Sequence, residues 1–352
     1  MSVSKIACAL AVIVLVSARP AHADLLIGDF RETDGVGPVL RYDDAAQGAA
    51  APTGAFYTNL GGGGDVLHSA ASMTFEPLEN VVYAADFYGQ AIRVYPAAAS
   101  GNAAALRTLN PPQLGQPIQI AISVAHEELI AVTSGGVETY ARSASGNAAY
   151  PQRTLPLSIT SAGSRTRLTN PGGIVLRPKS DEIAVPDYGV AAGNAYFGVV
   201  LFFPRAVTGN SAPSRTLEGP QTLLGIAAFG ITFDKSHDEI LVLSQDSSQY
   251  PYVYRISTFA GSASGNTAPL RSISGVNALL GDIHAIAYDD AAELLYVSEG
   301  GENGIPARIL VFARGANGNV APDRVIVPNG SSFVLPQGIT TVYDELFRNG
   351  FD

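Results

Sequence analysis

The 352-residue sequence predicts an all-β protein, a six-bladed β-propeller with four antiparallel strands in each blade. An internal repeat of about 54 residues occurs six times, and four strands in a unit of roughly this length are typical of a propeller blade. Apolar and polar residues alternate with the period of a strand, and convincing helical periodicity is missing after residue 23. The two ends of the chain also supply complementary parts of one unit.

We name the strands of a unit A, B, C and D in chain order. Strand C carries the pattern V-x-x-F/Y, and a Gly-Asn loop leads to strand D in every unit after a degenerate first copy. Glycine adopts the left-handed conformation without strain, and asparagine tolerates it or caps the turn, so we interpret these loops as structural. The loop glycines, spaced by 53, 45, 63, 56 and 53 residues, are Gly48, Gly101, Gly146, Gly209, Gly265 and Gly318.

Strands A and B form a second repeated element, in which a polar turn joins two strands of alternating character. Copies are SMTFEPLENVVYAADF from Ser72, GIVLRPKSDEIAVPDY from Gly173, GITFDKSHDEILVLSQ from Gly230, AIAYDDAAELLYVSEG from Ala285 and a shorter AISVAHEELIAVTSG from Ala121.

The first unit lacks its own strand A, because LLIGDF from Leu25 already has the character of strand B. A spare strand A, residues 338–342, lies near the C-terminus. We expect it to pair with residues 25–29, which would close the ring with backbone hydrogen bonds and remove open sheet edges.

The first 23 residues have the character of a signal peptide. Lys5 supplies a positive charge, an apolar run follows over residues 6–16, and Ala21-His22-Ala23 is a cleavage signal, so we expect a mature chain that begins at Asp24. We therefore divide the chain into a signal peptide (1–23), a propeller (24–343) and a short tail (344–352), and expect a secreted or periplasmic protein. The single cysteine, Cys8, lies in the leader, so the mature chain can form no disulfide.

Charge argues against two classes of partner. The net charge of the whole chain is −10, and removal of Lys5 and Arg19 with the leader makes it −12. An acidic surface repels phosphate backbones and anionic lipid, so we expect neither nucleic-acid nor membrane-surface binding. The apolar run of the leader is too short to span a bilayer, and no longer run occurs later. We expect a monomer.

The segment VVYAADFYGQAIRVYPA, which starts at Val81, resembles the strand B–turn–strand C pattern of NHL-type six-bladed propellers. The resemblance extends over the whole mature chain and implies the architecture, whereas propellers of this kind host ligand binding, protein binding, lactone hydrolysis and lyase chemistry. The last residues, DELFRNGFD, resemble short acidic-aromatic tails on secreted proteins of Gram-negative bacteria.

The order of strands places A–B and C–D turns on one face of the ring, and B–C turns and D–A connections on the other, which we call the B–C face. Its loops are irregular, for example FRETDGVGP from Phe30, YGVAAGNAYFG from Tyr188 and EGGENGIPA from Glu299. Unequal loops on a regular scaffold indicate the binding face, although glycine-rich loops can also be connections without a function.

Aligning the ends of the B strands predicts a ring of side chains at the centre of this face, four of them acidic. One interpretation is a carboxylate-lined mouth that binds a calcium ion, with metal ligands Asp86, Asp187 and Glu299. The other is that each acid caps its own B–C turn by accepting backbone N–H bonds, with Glu299 as the exception. The ring residues are Asp29, Asp86, Ser134, Asp187, Ser244 and Glu299.

His284 lies at the start of strand A in the sixth unit. It either faces the channel mouth as a base or ligand, or it has a packing role. His68, in a D–A connection, has the same two interpretations. Phe30, Phe87 and Tyr188 each follow a ring acid, where they either stack on a sugar or ring ligand or pack in the core.

Protease, hydrolase, P-loop and dinucleotide-binding motifs are missing from the sequence. We therefore predict a non-catalytic propeller that binds an unknown protein or a small polar ligand at Asp29, Asp86, Asp187, Tyr188 and Glu299. The alternative, which rests on resemblance to gluconolactonase-like enzymes, is a calcium-dependent lactonase with Glu299 and His284 as catalytic residues. Those enzymes also use an asparagine ligand, for which Asn170 is the nearest candidate.

Overall fold

A computed structural model describes residues 23–30, 37–57, 66–158, 164–190, 196–246, 252–301, 305–328 and 335–343. In these ranges the chain forms six sheets arranged as six blades in a ring, which confirms the predicted fold class. Helical structure there consists of short 3-10 turns, and none of its helices has the length and apolar character needed to cross a membrane. The predicted leader, up to residue 22, and the predicted tail lie outside the described residues.

The strands are short and mostly hydrophobic toward the neighbouring sheets. In chain order they are β1 (Ala23–Asp29), β2 (Val39–Asp43), β3 (Gly48–Ala50), β4 (Gly54–Tyr57), β5 (Ala70–Glu76), β6 (Val81–Asp86), β7 (Ala91–Pro96), β8 (Gly101–Asn102), β9 (Arg107–Leu109), β10 (Pro117–Ser123), β11 (Glu128–Thr133), β12 (Gly136–Ala141), β13 (Arg153–Pro156), β14 (Val175–Arg177), β15 (Glu182–Val190), β16 (Tyr196–Pro204), β17 (Arg215–Glu218), β18 (Ala227–Asp234), β19 (Glu239–Asp246), β20 (Val253–Ala260), β21 (Arg271–Ile273), β22 (Ile283–Asp289), β23 (Leu294–Glu299), β24 (Arg308–Ala313), β25 (Arg324–Pro328) and β26 (Pro336–Tyr343). The 3-10 turns are Pro178–Ser180, Pro220–Thr222 and Val276–Ala278.

Each blade is an antiparallel meander in the order A-B-C-D. Blades 2 to 6 are β5-β6-β7-β9, β10-β11-β12-β13, β14-β15-β16-β17, β18-β19-β20-β21 and β22-β23-β24-β25. Blade 1 is composite, since its order is β26-β1-β2-β4. In it the C-terminal strand β26 lies antiparallel to β1, with Leu25 opposite Thr341 and Ile27 opposite Ile339.

The hydrophobic core lies between blades. Buried apolar side chains of the described chain form six clusters, one at each junction of neighbouring blades. Each cluster contains the aromatic residue of one strand-C pattern V-x-x-F/Y, packed toward the preceding blade and fully buried. These residues are Tyr42, Tyr95, Tyr140, Phe203, Phe259 and Phe312. The repeated aromatic is therefore the apolar contact that joins one sheet to the next.

The C–D loops, five of which contain Gly-Asn, make a second contact between blades. Each loop lies along the outer edge of strand D in the preceding blade and continues that sheet in parallel: β3 pairs with β25, and β8 pairs with β4. In the later blades the loop glycine donates its amide to a strand-D carbonyl, as Gly146 does to Thr108 (2.7 Å) and Gly318 to Ser272 (2.7 Å). The loops thus cover the edge that strand D would otherwise leave open.

Arginine side chains link the blades on the face opposite the B–C face. Ion pairs join blades 2 and 3 through Arg142 and Glu76 (3.3 Å), and blades 3 and 4 through Arg205 and Glu128 (2.5 Å). The pairs Arg177–Asp238 and Arg314–Asp234 do so at the next two junctions. Arg41 and Arg324 reach backbone carbonyls across the two junctions of blade 1. The planar guanidinium suits such bridges because it can bind two acceptors at once.

We predict that Gly318→Ala destabilises the protein by about 1–2 kcal/mol, because φ is +77° at this position and a side chain is strained there whatever the space. Gly315, in the same loop, is the matched control: an added methyl group meets no atom at either position, but the φ of Gly315 is not in the left-handed region. Urea unfolding of both variants tests this. Equal stability of the two would contradict the role assigned to the loop conformation.

Removal of all residues after Pro336 is expected to destabilise the protein severely, because blade 1 then loses strand A. A chain that ends at Tyr343 keeps β26 and is expected to unfold at the wild-type temperature. Circular dichroism during thermal unfolding compares the two truncations. Cooperative unfolding of the shorter chain near the wild-type temperature would show that β26 is dispensable.

Candidate functional site

The four acidic ring residues all lie on the B–C face and are all buried. Asp29, Asp86, Asp187 and Glu299 have at most 4% of their surface exposed. Each accepts a hydrogen bond from a backbone amide in the connection that enters strand A of its own blade. The donors are Leu335 for Asp29 (2.9 Å), Ser69 and His68 for Asp86 (3.0 and 3.1 Å), Thr169 and Asn170 for Asp187 (2.9 and 3.0 Å), and Gly281 for Glu299 (3.0 Å).

These bonds differ from the capping pattern that the sequence suggested. The donors lie mainly in the D–A connection, 17 or 18 residues before the acid in three blades, and not in the B–C turn that follows it. Asp86 also accepts a bond from Gly89 of its own turn (3.1 Å). In blade 3 the Ser134 hydroxyl accepts the Gln116 amide over the same 18-residue span (3.2 Å). Five of the six ring residues therefore hold the entry of the strand that lines the channel in their own blade, whereas the buried Ser244 hydroxyl has no hydrogen-bond partner among the described residues.

Two of the acids are also paired with an arginine of strand C. The Arg93 Nε lies 2.9 Å from Asp86 Oδ2, and both side chains are buried. Arg308 forms the equivalent ion pair with Glu299. Burial nevertheless raises the pKa of Asp86 above its ordinary value. The same cause raises the pKa of Asp187 to about 6.

The structure does not bring Asp86, Asp187 and Glu299 together as one cation site. In the described parts of the chain, no three His, Cys, Asp or Glu side chains are grouped so that they could hold a metal ion. The physical reason is that each carboxylate is turned toward backbone amides of its own blade. The Asn170 side chain lines the channel, while its backbone amide is donated to Asp187.

A central channel with a volume of about 1550 Å³ runs between the A strands of all six blades. Strand A is irregular at one position near the B–C face in most blades, where the pairing with strand B skips one residue. Such a bulge redirects a side chain, and here it lines the channel. The lining residues at this level, with Gly172 at the corresponding place in blade 4, are Gln337, Ala71, Ile118, Gly172, Phe229 and His284.

His284 is the titratable member of this ring. Its Nε2 lies 3.0 Å from Asp282 Oδ2, and both side chains line the channel. Asp282 was not singled out by the sequence, although D-x-H at a strand entry was visible there. The two residues can face the channel together because side chains two positions apart on an extended chain point to the same side.

Aromatic side chains line the mouth on the side of blades 1 and 2. Phe30, Phe87 and Tyr88 form a cluster with ring centroids 5.2–5.7 Å apart. Phe30 and Phe87 line the channel, and Tyr88, which the sequence analysis did not consider, is 41% exposed. Tyr188 lines the channel across the ring, where burial, and then the charge of Asp187, raises the pKa of its hydroxyl. The mouth therefore combines aromatic surface with the Asp282–His284 pair of the channel lining, and a second pair lies in the connection that enters blade 2, where His68 Nδ1 is 3.4 Å from Asp86 Oδ2.

A scan against protein-family models and a search of curated proteins each found no match. Solved structures do align. A chain of a nidogen/laminin complex has a TM-score of 0.55 at 17% identity and covers 91% of this chain and 98% of its own. A protein of unknown function from Desulfotomaculum acetoxidans DSM 771 has a TM-score of 0.52 at 10% identity, with coverages of 92% and 99%. A Bacteroides fragilis NCTC 9343 protein, provisionally named a 6-phosphogluconolactonase, has a TM-score of 0.52 at 11% identity, and the alignment covers 93% of this chain and 99% of that protein. At these identities the likeness shows the propeller fold alone.

We predict that Asp187 makes stability depend on pH. Its pKa is about 6 in the folded state against 3.8 as the ordinary value, so the folded protein binds the extra proton and stability falls as the pH rises through this window. The unfolding free energy of the wild type, relative to Asp187→Asn, should fall by up to about 3 kcal/mol between roughly pH 4 and pH 7. Urea unfolding across this range measures the difference. A difference that does not change with pH would refute the assignment.

Proposed function

We propose that this chain is a non-catalytic binding propeller, exported and of NHL type, that holds a small polar ligand at the channel mouth on the B–C face. The observation that supports this best is that the four mouth carboxylates are already engaged in hydrogen bonds within their own blades. Each is buried and accepts backbone amides, and two also bind an arginine, so they serve to hold the blades and not to bind a substrate. The ligand-facing surface is then formed by the bulge residues, the His–Asp pair and the aromatic cluster.

The runner-up is a calcium-dependent lactonase, and the same contacts disfavour it. Glu299, Asp187 and Asp86 would have to leave their amide donors to share one cation. Breaking such bonds leaves buried backbone N–H groups without acceptors, which costs about 1–3 kcal/mol each. The Bacteroides fragilis protein named above is the structural neighbour that motivates testing this activity.

Metal analysis separates the two functions. We expect purified protein that has been exposed to calcium and then dialysed to retain no stoichiometric calcium. Its unfolding temperature should be the same in calcium and in a chelator. It should hydrolyse gluconolactone no faster than buffer alone does. One calcium per chain that is lost in Glu299→Gln, together with calcium-dependent lactone hydrolysis, would establish the enzyme instead. Glu127→Gln, a change at an exposed glutamate on the opposite face, is the control variant.

A further inference from the structure

We propose that the channel mouth is a site for a neutral saccharide, with Asp282–His284 as its hydrogen-bonding end and Phe30, Phe87 and Tyr88 as its stacking end. This inference rests on the proposed binding function and names the ligand class.

The hydrogen-bonding end is built into the fold. His284 occupies the bulge of β22, and its Nε2 lies 3.0 Å from Asp282 Oδ2. Gly300, the residue after β23, makes room for the pair: a methyl group there would lie 2.8 Å from Asp282 Oδ2 and 2.9 Å from His284 Nε2. The Nε2 contact to Asp282 leaves Nδ1 of the imidazole as the nitrogen for a ligand hydroxyl.

The stacking end is formed by two blades. The ring centroid of Tyr88 lies 5.2 Å from that of Phe30, with the two rings tilted by 40°, and 5.2 Å from that of Phe87, with the two rings at 90°. Tyr88 has 41% of its surface exposed, and the two phenylalanines that it packs against line the channel. Sugar rings present apolar C–H faces that pack on aromatic rings of this kind.

The two ends are parts of one surface, because Leu335 connects them. The Leu335 carbonyl accepts the Phe30 amide (2.8 Å), and its side chain lies 3.0 Å from the position that a methyl group on Gly300 would occupy. Its amide is held in turn by Asp29 (2.9 Å). The ring acid Asp29 thus orders the segment between the polar and the aromatic end.

The remaining polar groups of the mouth favour a neutral, hydroxyl-rich ligand. Gln337 and Gln245 supply amides and Tyr254 a hydroxyl, and such groups both donate and accept hydrogen bonds. Of the charged side chains described in the channel lining, Glu76 ends strand A of blade 2, and Lys235 and Asp290 belong to A–B turns, so all three lie at the opposite end. The described lining residues at the mouth therefore include no lysine or arginine for a phosphate or carboxylate ligand, and the acid among these lining residues, Asp282, is paired with His284.

Isothermal titration calorimetry of the full chain with maltotriose, cellotriose, xylotriose and triacetylchitotriose tests the proposal, with tetramethylammonium as a cationic probe. We expect at least one trisaccharide to bind. Tyr88→Ala and His284→Ala should each weaken that binding about tenfold or more, as truncation of a central contact residue does. Gly300→Ala should also weaken it, because the added methyl group displaces the His–Asp pair.

Two matched variants control for indirect effects. Tyr150→Ala removes a tyrosine that is 79% exposed and belongs to the C–D loop of blade 3, on the opposite face. Gly315→Ala adds a methyl group where it meets no other atom. Both should bind the trisaccharide like the wild type, and the unfolding temperature of every variant shows that it is folded.

The outcomes separate the ligand class from the binding function. Absence of binding to all four trisaccharides by folded protein overturns the saccharide assignment. Binding of tetramethylammonium that Tyr88→Ala abolishes, without saccharide binding, overturns the ligand class and leaves the mouth as a binding site. Saccharide binding that none of Tyr88→Ala, His284→Ala and Gly300→Ala weakens places the ligand elsewhere and overturns the proposed function of the mouth as well.

Discussion

The contact between neighbouring blades is the interaction on which the rest of this structure depends. A four-stranded sheet of this kind has two apolar faces to bury, and in the described chain the neighbouring sheets bury them. The chain meets this need with three repeated contacts: a buried aromatic from strand C, a Gly-Asn loop along the preceding strand D, and an arginine on the face away from the mouth. Because these recur from junction to junction, the ring is stabilised evenly, although its loops on the B–C face differ.

Blade 1 shows how this constraint reaches the ends of the chain. Blade 1 packs against blade 6 through residues of β1 and β2, such as Ile27 and Tyr42, and through Ile339 of β26, which completes blade 1 beside β1. Tyr343, at the end of β26, also donates its hydroxyl to Asp289 of blade 6 (2.6 Å). The same strand contributes Gln337 to the channel, so the segment that completes blade 1 also contributes to the mouth.

The ring acids separate architecture from function. In the sequence, carboxylates that recur at the ends of the B strands resemble a metal site. In the structure each carboxylate accepts backbone amides from the connection that leads into strand A of its own blade. This arrangement positions the bulges, and the bulges direct side chains of different chemistry into the channel. The acids of blades 1, 2 and 6 thus support the strands that carry Gln337, Ala71 and His284, and the different chemistry of the bulge residues is what the proposed binding function uses.

By itself, the sequence determined the number of blades, the order of strands and the loops that the blades share, because alternation, V-x-x-F/Y and the loop glycine are local patterns that recur from blade to blade, with Gly-Asn in five of the six loops. It also located the face on which the ring acids and His284 lie. Only the tertiary structure decided what these residues contact. The donor for Asp29, Leu335, is 306 residues away in the chain. The cluster of Phe30, Phe87 and Tyr88 needs two blades. Such partners depend on how the sheets pack, and packing between distant segments leaves no periodic trace in the sequence.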